Sequence, residues 1–143
     1  MKLKDLMTKN VEVVQTDATV QEAAAKMRDV NVGAIPVVNG KEVVGIITDR
    51  DIVLRATAAG RDPTNTRVKD IMTDRLLFVF EDQDIQEAAK LMSENQVRRV
   101  PVVDQQNHLV GIVSLGDFSV DVKDDKFSTK ILEDVSRPSR PDR

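Results

Sequence analysis

VVGIITDRDI, Val43–Ile52, is the stretch whose reading decides the fold. VVGII is an apolar run rich in β-branched side chains, which predicts a strand. TDRDI follows at once. Thr48 with an acid three positions on, Asp51, is the pattern of a helix start, in which hydroxyl and carboxylate each satisfy a backbone N–H. The same pattern returns as LVGIVSLGDF, Leu109–Phe118, with Ser114 and Asp117 in the same relation. If the protein binds a small molecule, it is expected to do so at these two junctions.

Outward from this pair the rest of the chain repeats as well. LKDLMT, Leu3–Thr8, matches VKDIMT, Val68–Thr73. VQEAAAKM, Val20–Met27, matches IQEAAKLM, Ile85–Met92. VGAIPVV, Val32–Val38, matches VRRVPVV, Val97–Val103. Leu3–Val38 lies on Val68–Val103 without a gap, and one extra residue near Gln105–His108 lengthens the second copy. So long a unit in so few copies is a duplicated small fold rather than a solenoid.

Each copy reads β-α-β-β-α after a short leading segment. Val11–Val14 and Leu76–Phe80 are apolar and β-branched or aromatic, which predicts short strands. Thr19-x-x-Glu22 and Asp84-x-x-Glu87 are capping-box patterns that open a helix. Val20, Ala23, Ala24 and Met27 then share one helix face, as do Ile85, Ala88, Ala89 and Met92. A hairpin follows through Ile35–Val38, the turn Asn39-Gly40 and Val43–Ile47, because Asn-Gly supplies the positive φ of a tight turn. Val100–Val103 and Leu109–Val113 repeat it around a longer turn. Pro36 and Pro101, inside the first strand of each hairpin, predict an edge or irregular position. A closing helix is expected over Asp49 to about Ala59, stopped by Gly60. Its counterpart begins near Leu115 and contains the poor helix formers SVDVKDD.

These readings give repeat ranges of 1–62 and 63–122, joined by the polar linker RDPTNT, and a charged tail over 123–143. The end of the tail, SRPSRPDR, is expected to be disordered. Phe127, Ile131, Leu132 and Val135 have the spacing of a short terminal helix or else lie on a solvated tail. The fold class is α+β. Neither repeat carries enough apolar positions to close a core alone, so the two are expected to pack with pseudo-twofold symmetry and bury both sheets.

Composition narrows the function classes. With 143 residues the chain can bury a core without staples. Aromatics are 3%, with no Trp or Tyr, so the core is aliphatic and base-stacking surface is scarce. The net charge of −3 gives no general pull on nucleic acid or an anionic membrane. The absence of Cys excludes disulfides, thiolate nucleophiles and Cys-based zinc sites. His108, the one histidine, falls in the second hairpin turn and reads as a solvated loop residue. No clustered carboxylates suggest a metal site, and no metal is required. The N-terminal MKLKDLMTKN has no apolar run of signal-peptide length and no segment is apolar enough to span a membrane, so a cytoplasmic location is expected.

The unit order, the hydrophobic-PVV strand and the G-h-h-T/S-x-x-D ending, each present twice, resemble the CBS domain, named for cystathionine β-synthase. A tandem pair of these is a Bateman module, and the resemblance covers residues 3 to about 122. It implies clefts between the repeats that hold an adenine nucleotide (AMP, ADP or ATP), or in some members S-adenosylmethionine or an NAD-type molecule. It also implies a homodimer of pairs joined through helical faces, and a regulated protein the sequence does not identify.

By the same resemblance Asp51 and Asp117 accept the hydroxyls of a ribose, a charge-assisted bond. Thr48 and Ser114 then offer hydroxyls to ribose or phosphate at a helix N-terminus. The plain alternative is that both pairs only cap their helices; the roles can coexist. The implied clefts are composite. Ile112, Ser114 and Asp117 combine with Thr16, Val32, Gly33 and Ala34. Ile46, Thr48 and Asp51 combine with the segment near Phe80-Glu81 and with Val97, Arg98 and Arg99. Small Gly33-Ala34 makes the Asp117 cleft the better adenine pocket. Arg98 and Arg99 reach phosphates, where an arginine fork suits them, or form an exposed pair; Arg50 is a further candidate. Glu81 stands where the first repeat has Thr16, and its charge disfavours phosphate in the Asp51 cleft.

The expected function is a regulatory adenine-nucleotide sensor that is not an enzyme. The alternatives are an interaction module with vacant clefts, or a binder of S-adenosylmethionine or an NAD-type ligand. Catalysis is disfavoured because there is no Ser/His/Asp arrangement and no Walker-type glycine loop.

Overall fold

The structure is a computed structural model that describes residues 1–74 and 77–121, the side chains of 119–121 excepted. The expected disorder and terminal helix of the tail, and Leu76 of the expected second-repeat strand, lie outside the described residues. In chain order the elements are α1 (Leu3–Leu6), β1 (Val14–Gln15), α2 (Val20–Val30), β2 (Ala34–Asn39), β3 (Glu42–Thr48) and α3 (Asp49–Asp51), which runs into a π-helical turn, Ile52–Thr57. Then come α4 (Val68–Ile71), β4 (Val79–Phe80), α5 (Ile85–Asn95), β5 (Arg99–Val103), β6 (Leu109–Ser114) and α6 (Leu115–Asp121). The β-α-β-β-α order occurs twice, each time behind a short helix written by the KDLM or KDIM segment.

The chain divides into two compact units that do not coincide with repeat boundaries at 1–62 and 63–122. One is Glu12–Leu76 with Asn107–Leu109; the other is Met1–Val11 with Leu77–Gln106 and Val110 onward. The leading helices are exchanged: α4, from the second repeat, completes the unit of the first, and α1 completes the unit of the second. In the first unit Val68 and Ile71 of α4 join Val14, Val20, Ala23, Met27, Ile35, Val37, Ile47 and Ala56 in one core. In the second, Leu3 and Leu6 of α1 join Val79, Ile85, Ala88, Ala89, Met92, Val100, Val102, Val113 and Phe118. Each unit therefore has its own core, and what a repeat lacks for closure is one borrowed turn of helix. Backbone bonds fix the exchange in the same way in both units: Val68 N to Ala18 O and Lys69 N to Thr16 O in one, Leu3 N to Gln83 O and Lys4 N to Glu81 O in the other.

Each unit has a three-stranded sheet, ordered β1-β2-β3 and β4-β5-β6. β1 runs parallel to β2, pairing Val14 with Val37, and β2 runs antiparallel to β3, pairing Ala34 with Thr48. β4 pairs in parallel with β5 through Val79 and Val102. Of the edge or irregular position expected for Pro36 and Pro101, the edge is corrected, because β2 and β5 are the middle strands, while the β2–β3 register shifts between Val37 and Val38, just past Pro36. Asp49 N donates to Gly33 O across the β2–β3 ladder. By antiparallel alternation the nitrogen of Pro36 then faces the β1 flank. There β1 reaches only Val37 and Val38, so no partner strand asks for the missing N–H. β4 likewise covers only Val102 and Val103, past Pro101. The expected strands Val11–Val14 and Leu76–Phe80 are correspondingly short, at Val14–Gln15 and Val79–Phe80.

The helix signals hold where the cap chemistry is complete. Thr19 and Glu22 form the reciprocal capping box, with Glu22 N to Thr19 Oγ1 at 3.1 Å and Thr19 N to Glu22 Oε2 at 3.0 Å. Thr19→Ala is expected to lower stability by about 1 kcal/mol in urea unfolding. Asp84 instead accepts from Gln86 N at 3.0 Å, and this bond holds its carboxyl below the usual carboxylate range. A lowered folded pKa contributes stability above the ordinary carboxylate range and loses it as pH falls through the lowered value.

The closing helix of the first repeat departs from a plain α-helix. Ala58 N bonds Val53 O at 2.8 Å and Arg61 N bonds Ala56 O at 2.9 Å, five-residue steps that widen the turn. Gly60 ends it in the left-handed region at φ 72°. In the second repeat α6 forms despite poor propensities, because Phe118 is fully buried and anchors it. His108 is half-buried and bridges to Glu42 rather than being freely solvated.

Candidate functional site

The sequence at each strand-to-helix junction builds a hydroxyl–carboxylate pair, and the leading segment borrowed by that unit lies against it. In the first unit Thr48 is the N-cap of α3. Its Oγ1 accepts from Asp51 N at 3.0 Å, and Asp51 Oδ2 accepts from Thr48 N at 3.0 Å. Residues 72–74 cross just behind, with Ile46 N to Thr73 O at 2.9 Å and Thr73 N to Ile46 O at 2.8 Å. This crossing needs Gly45. A Cβ there would lie 2.7 Å from Thr73 O and 3.0 Å from Met72 Sδ. Thr73 Oγ1 then reaches Asp51, at 3.1 Å from Oδ1 and 3.2 Å from Oδ2. Arg55 Nε stands 3.9 Å from Oδ1, and its Nη1 donates to Ile71 O and Met72 O at 3.3 and 3.1 Å. Asp51 is consequently 7% exposed and satisfied from within its own unit.

The second unit has the same frame with a freer carboxylate. Thr8 N bonds Ile112 O at 2.9 Å and Ile112 N bonds Thr8 O at 3.0 Å. A Cβ at Gly111 would lie 2.6 Å from Met7 Sδ and 2.8 Å from Thr8 O. Asp117 Oδ2 accepts from Ser114 N at 2.7 Å and from Ser114 Oγ at 3.2 Å. Among the described residues these are the hydrogen bonds the Asp117 carboxylate accepts, and both fall on one oxygen. Asp117 and Ser114 are half-buried.

The other expected site residues fall on both units. Thr16, Val32, Gly33, Ala34 and Ile46 belong with Thr48 and Asp51; Arg98, Arg99 and Ile112 belong with Ser114 and Asp117. Within the first unit Gly33 lies beside the junction: its carbonyl accepts from Asp49 N at 2.9 Å, and a Cβ on it would meet Asp49 Oδ2 at 3.0 Å. Arg98 O likewise accepts from Leu115 N at 2.9 Å. The hairpin thus brings each strand start to its own repeat's hydroxyl–carboxylate pair. Arg98 and Arg99 are exposed, as is Arg50. Thr16 is tied by its backbone to Val38 O and Lys69 N.

Sequence reasoning missed Thr73, Arg55 and the role of Gly45 and Gly111. The signal was present: a Met-Thr dipeptide closes both leading segments, and a glycine sits at the same place in VVGII and LVGIV. What it lacked was the strand those segments cross. Among the described residues no group of three or more His, Cys, Asp or Glu could hold a metal ion, and no helix is long and apolar enough to cross a membrane.

Comparison with known proteins shows the family and the fold. The chain is 44% identical to the CBS domain-containing protein YhcV of Bacillus subtilis, over 94% of both chains. Among solved structures it is similar to Hypoxic Response Protein I with two coordinated zinc ions, at a TM-score of 0.79 and 35% identity, covering 85% of this chain and 99% of that one. It is also similar to CBSX2 in complex with AMP, at a TM-score of 0.71 and 29% identity, covering 82% and 93%. The CBS domain itself matches residues 3–57 and 68–120, the two copies that VVGIITDRDI and LVGIVSLGDF close. The chain belongs to the CBS-domain family and carries the domain twice.

Proposed function

We propose that this CBS pair is a non-catalytic regulatory module that binds an adenine nucleotide through the Asp117–Ser114 junction. The observation that carries the reading is the state of Asp117. It is half-buried at a helix start, with one carboxylate oxygen held by Ser114 and the other, among the described residues, left to accept from a ribose hydroxyl. Burial strengthens such a charge-assisted bond, and the N-terminal turn of α6 favours an anion nearby. The AMP complex of CBSX2 supports the ligand class. Arg98 and Arg99, exposed at the start of β5, are the phosphate contacts in this reading. A ligand that binds one arrangement of the module better than another shifts its population, and a partner protein reads the shift.

The test is thermal unfolding with AMP, ADP, ATP and S-adenosylmethionine in turn. At a hundred times its dissociation constant the bound nucleotide adds about 2.7 kcal/mol of stability. Asp117→Ala is expected to remove that gain. No shift with any of the four ligands would leave the interaction module with vacant clefts as the better account.

A further inference from the structure

The two repeats write the same junction, yet the structure treats their aspartates differently, and the difference lies in one hydroxyl. Thr73 and Thr8 close the matching KDIMT and KDLMT segments, and both pair through their backbones with the strand they cross. Thr73 Oγ1 donates to Asp51, at 3.1 and 3.2 Å from its two oxygens. Among the described residues Thr8 makes no side-chain bond to Asp117. We infer that Thr73 is an internal blocker: its hydroxyl occupies the Asp51 carboxylate in place of a ligand hydroxyl, silencing that junction and making the protein a single-site receptor. The inference rests on the nucleotide-binding reading given above and specifies how that reading is restricted to Asp117.

The chemistry is a direct competition. A carboxylate presents about four lone-pair positions. Thr48 N takes one on Oδ2, and the Thr73 hydroxyl lies within reach of both oxygens. Arg55 stands on the Oδ1 side at 3.9 Å. A diol ligand needs an acceptor position on each oxygen at once and competes with the Thr73 hydroxyl, which lies against both. A bond to a charged acceptor of this kind weakens the competing ligand about ten- to a hundredfold. The backbone of Thr73 is held independently by Ile46, so the hydroxyl can be removed without releasing the segment.

The experiment is isothermal titration of the full chain with AMP. Wild type is expected to show one site. Thr73→Val, which keeps the shape and removes the hydroxyl, is expected to show a second, with affinity raised about ten- to a hundredfold over the silent junction. Thr73→Ser, which keeps the hydroxyl, is expected to stay at one. Thr73→Ala serves as the second hydroxyl-free variant if the valine protein folds poorly. One site in wild type and still one in both hydroxyl-free variants overturns the blocker and leaves nucleotide binding standing. Two sites of comparable affinity in wild type overturn it as well. No heat in any of the proteins with AMP, nor with ADP, ATP or S-adenosylmethionine titrated in its place, overturns nucleotide binding and the blocker together.

Discussion

Gly45→Ala is expected to lower the stability of the fold by about 3 kcal/mol, a large share of the 5–15 kcal/mol typical of a domain. The added Cβ would stand 2.7 Å from the carbonyl oxygen of Thr73, closer than carbon and oxygen tolerate. That oxygen is backbone, and it is held in place by Ile46 N at 2.9 Å. Relief requires the 72–74 segment to back away. The Ile46–Thr73 pair then stretches, at about 0.5–1.5 kcal/mol for each bond, on top of the overpacking itself. Gly111→Ala meets the same geometry with a different first obstacle, the Sδ of Met7 at 2.6 Å, before the Thr8 carbonyl at 2.8 Å. A thioether at the end of a flexible chain can move. Met7→Ala should therefore rescue part of Gly111→Ala, whereas Met72→Ala should rescue less of Gly45→Ala. Equilibrium urea unfolding of the four single and two double variants measures this. A change below about 0.5 kcal/mol for Gly45→Ala, the range of an ordinary surface substitution, would refute the close crossing.

Asp51→Ala is expected to cost about 3 kcal/mol and Asp117→Ala about 1 kcal/mol, although the sequence writes the two residues alike. Asp51 is nearly buried and accepts from both Thr48 N and the Thr73 hydroxyl. Its removal takes away a helix cap and strands a hydroxyl whose partner was charged, which is the costly direction. Arg55 adds little to this difference, since its side chain is half exposed and the pair is long at 3.9 Å. Asp117 is held only by Ser114 among the described residues, so its loss costs little more than a cap. Urea unfolding of both variants without ligand decides the point. Equal losses would mean that the Thr73 contact contributes nothing and that the two carboxylates are equivalent. With nucleotide present the order should invert, because Asp117→Ala is the variant expected to lose the ligand-dependent gain.

Much of this was legible in the chain itself. The twofold writing of the strand, the hydroxyl and the aspartate announced two copies of one fold, because backbone sterics and capping chemistry are local and identical residues answer them identically. The apolar faces of α2 and α5 follow from helical spacing in the same way, with Val20, Ala23 and Met27 in one core and Ile85, Ala88, Ala89 and Met92 in the other. The Asn39-Gly40 hairpin and the Gly60 stop are also local, set by where a positive φ is tolerated. Local rules failed where a distant segment intervened. Pro36 sits in a middle strand because β1 is too short to reach it, and α6 is helical because Phe118 is buried.

The sequence by itself determined that there are two CBS repeats, and that each ends in a hydroxyl–carboxylate pair poised at a helix start. Only the tertiary structure decided that the repeats exchange their leading helices. It alone decided that Gly45 and Gly111 are kept small by backbone crossing behind them, and that Asp51 accepts from Thr73 as well as Thr48 while Asp117, among the described residues, accepts from Ser114 alone. The physical reason is range. Capping and periodicity are settled within a few residues, whereas the state of a carboxylate depends on which hydroxyl the fold carries to it, and Thr73 reaches Asp51 across 22 positions of chain.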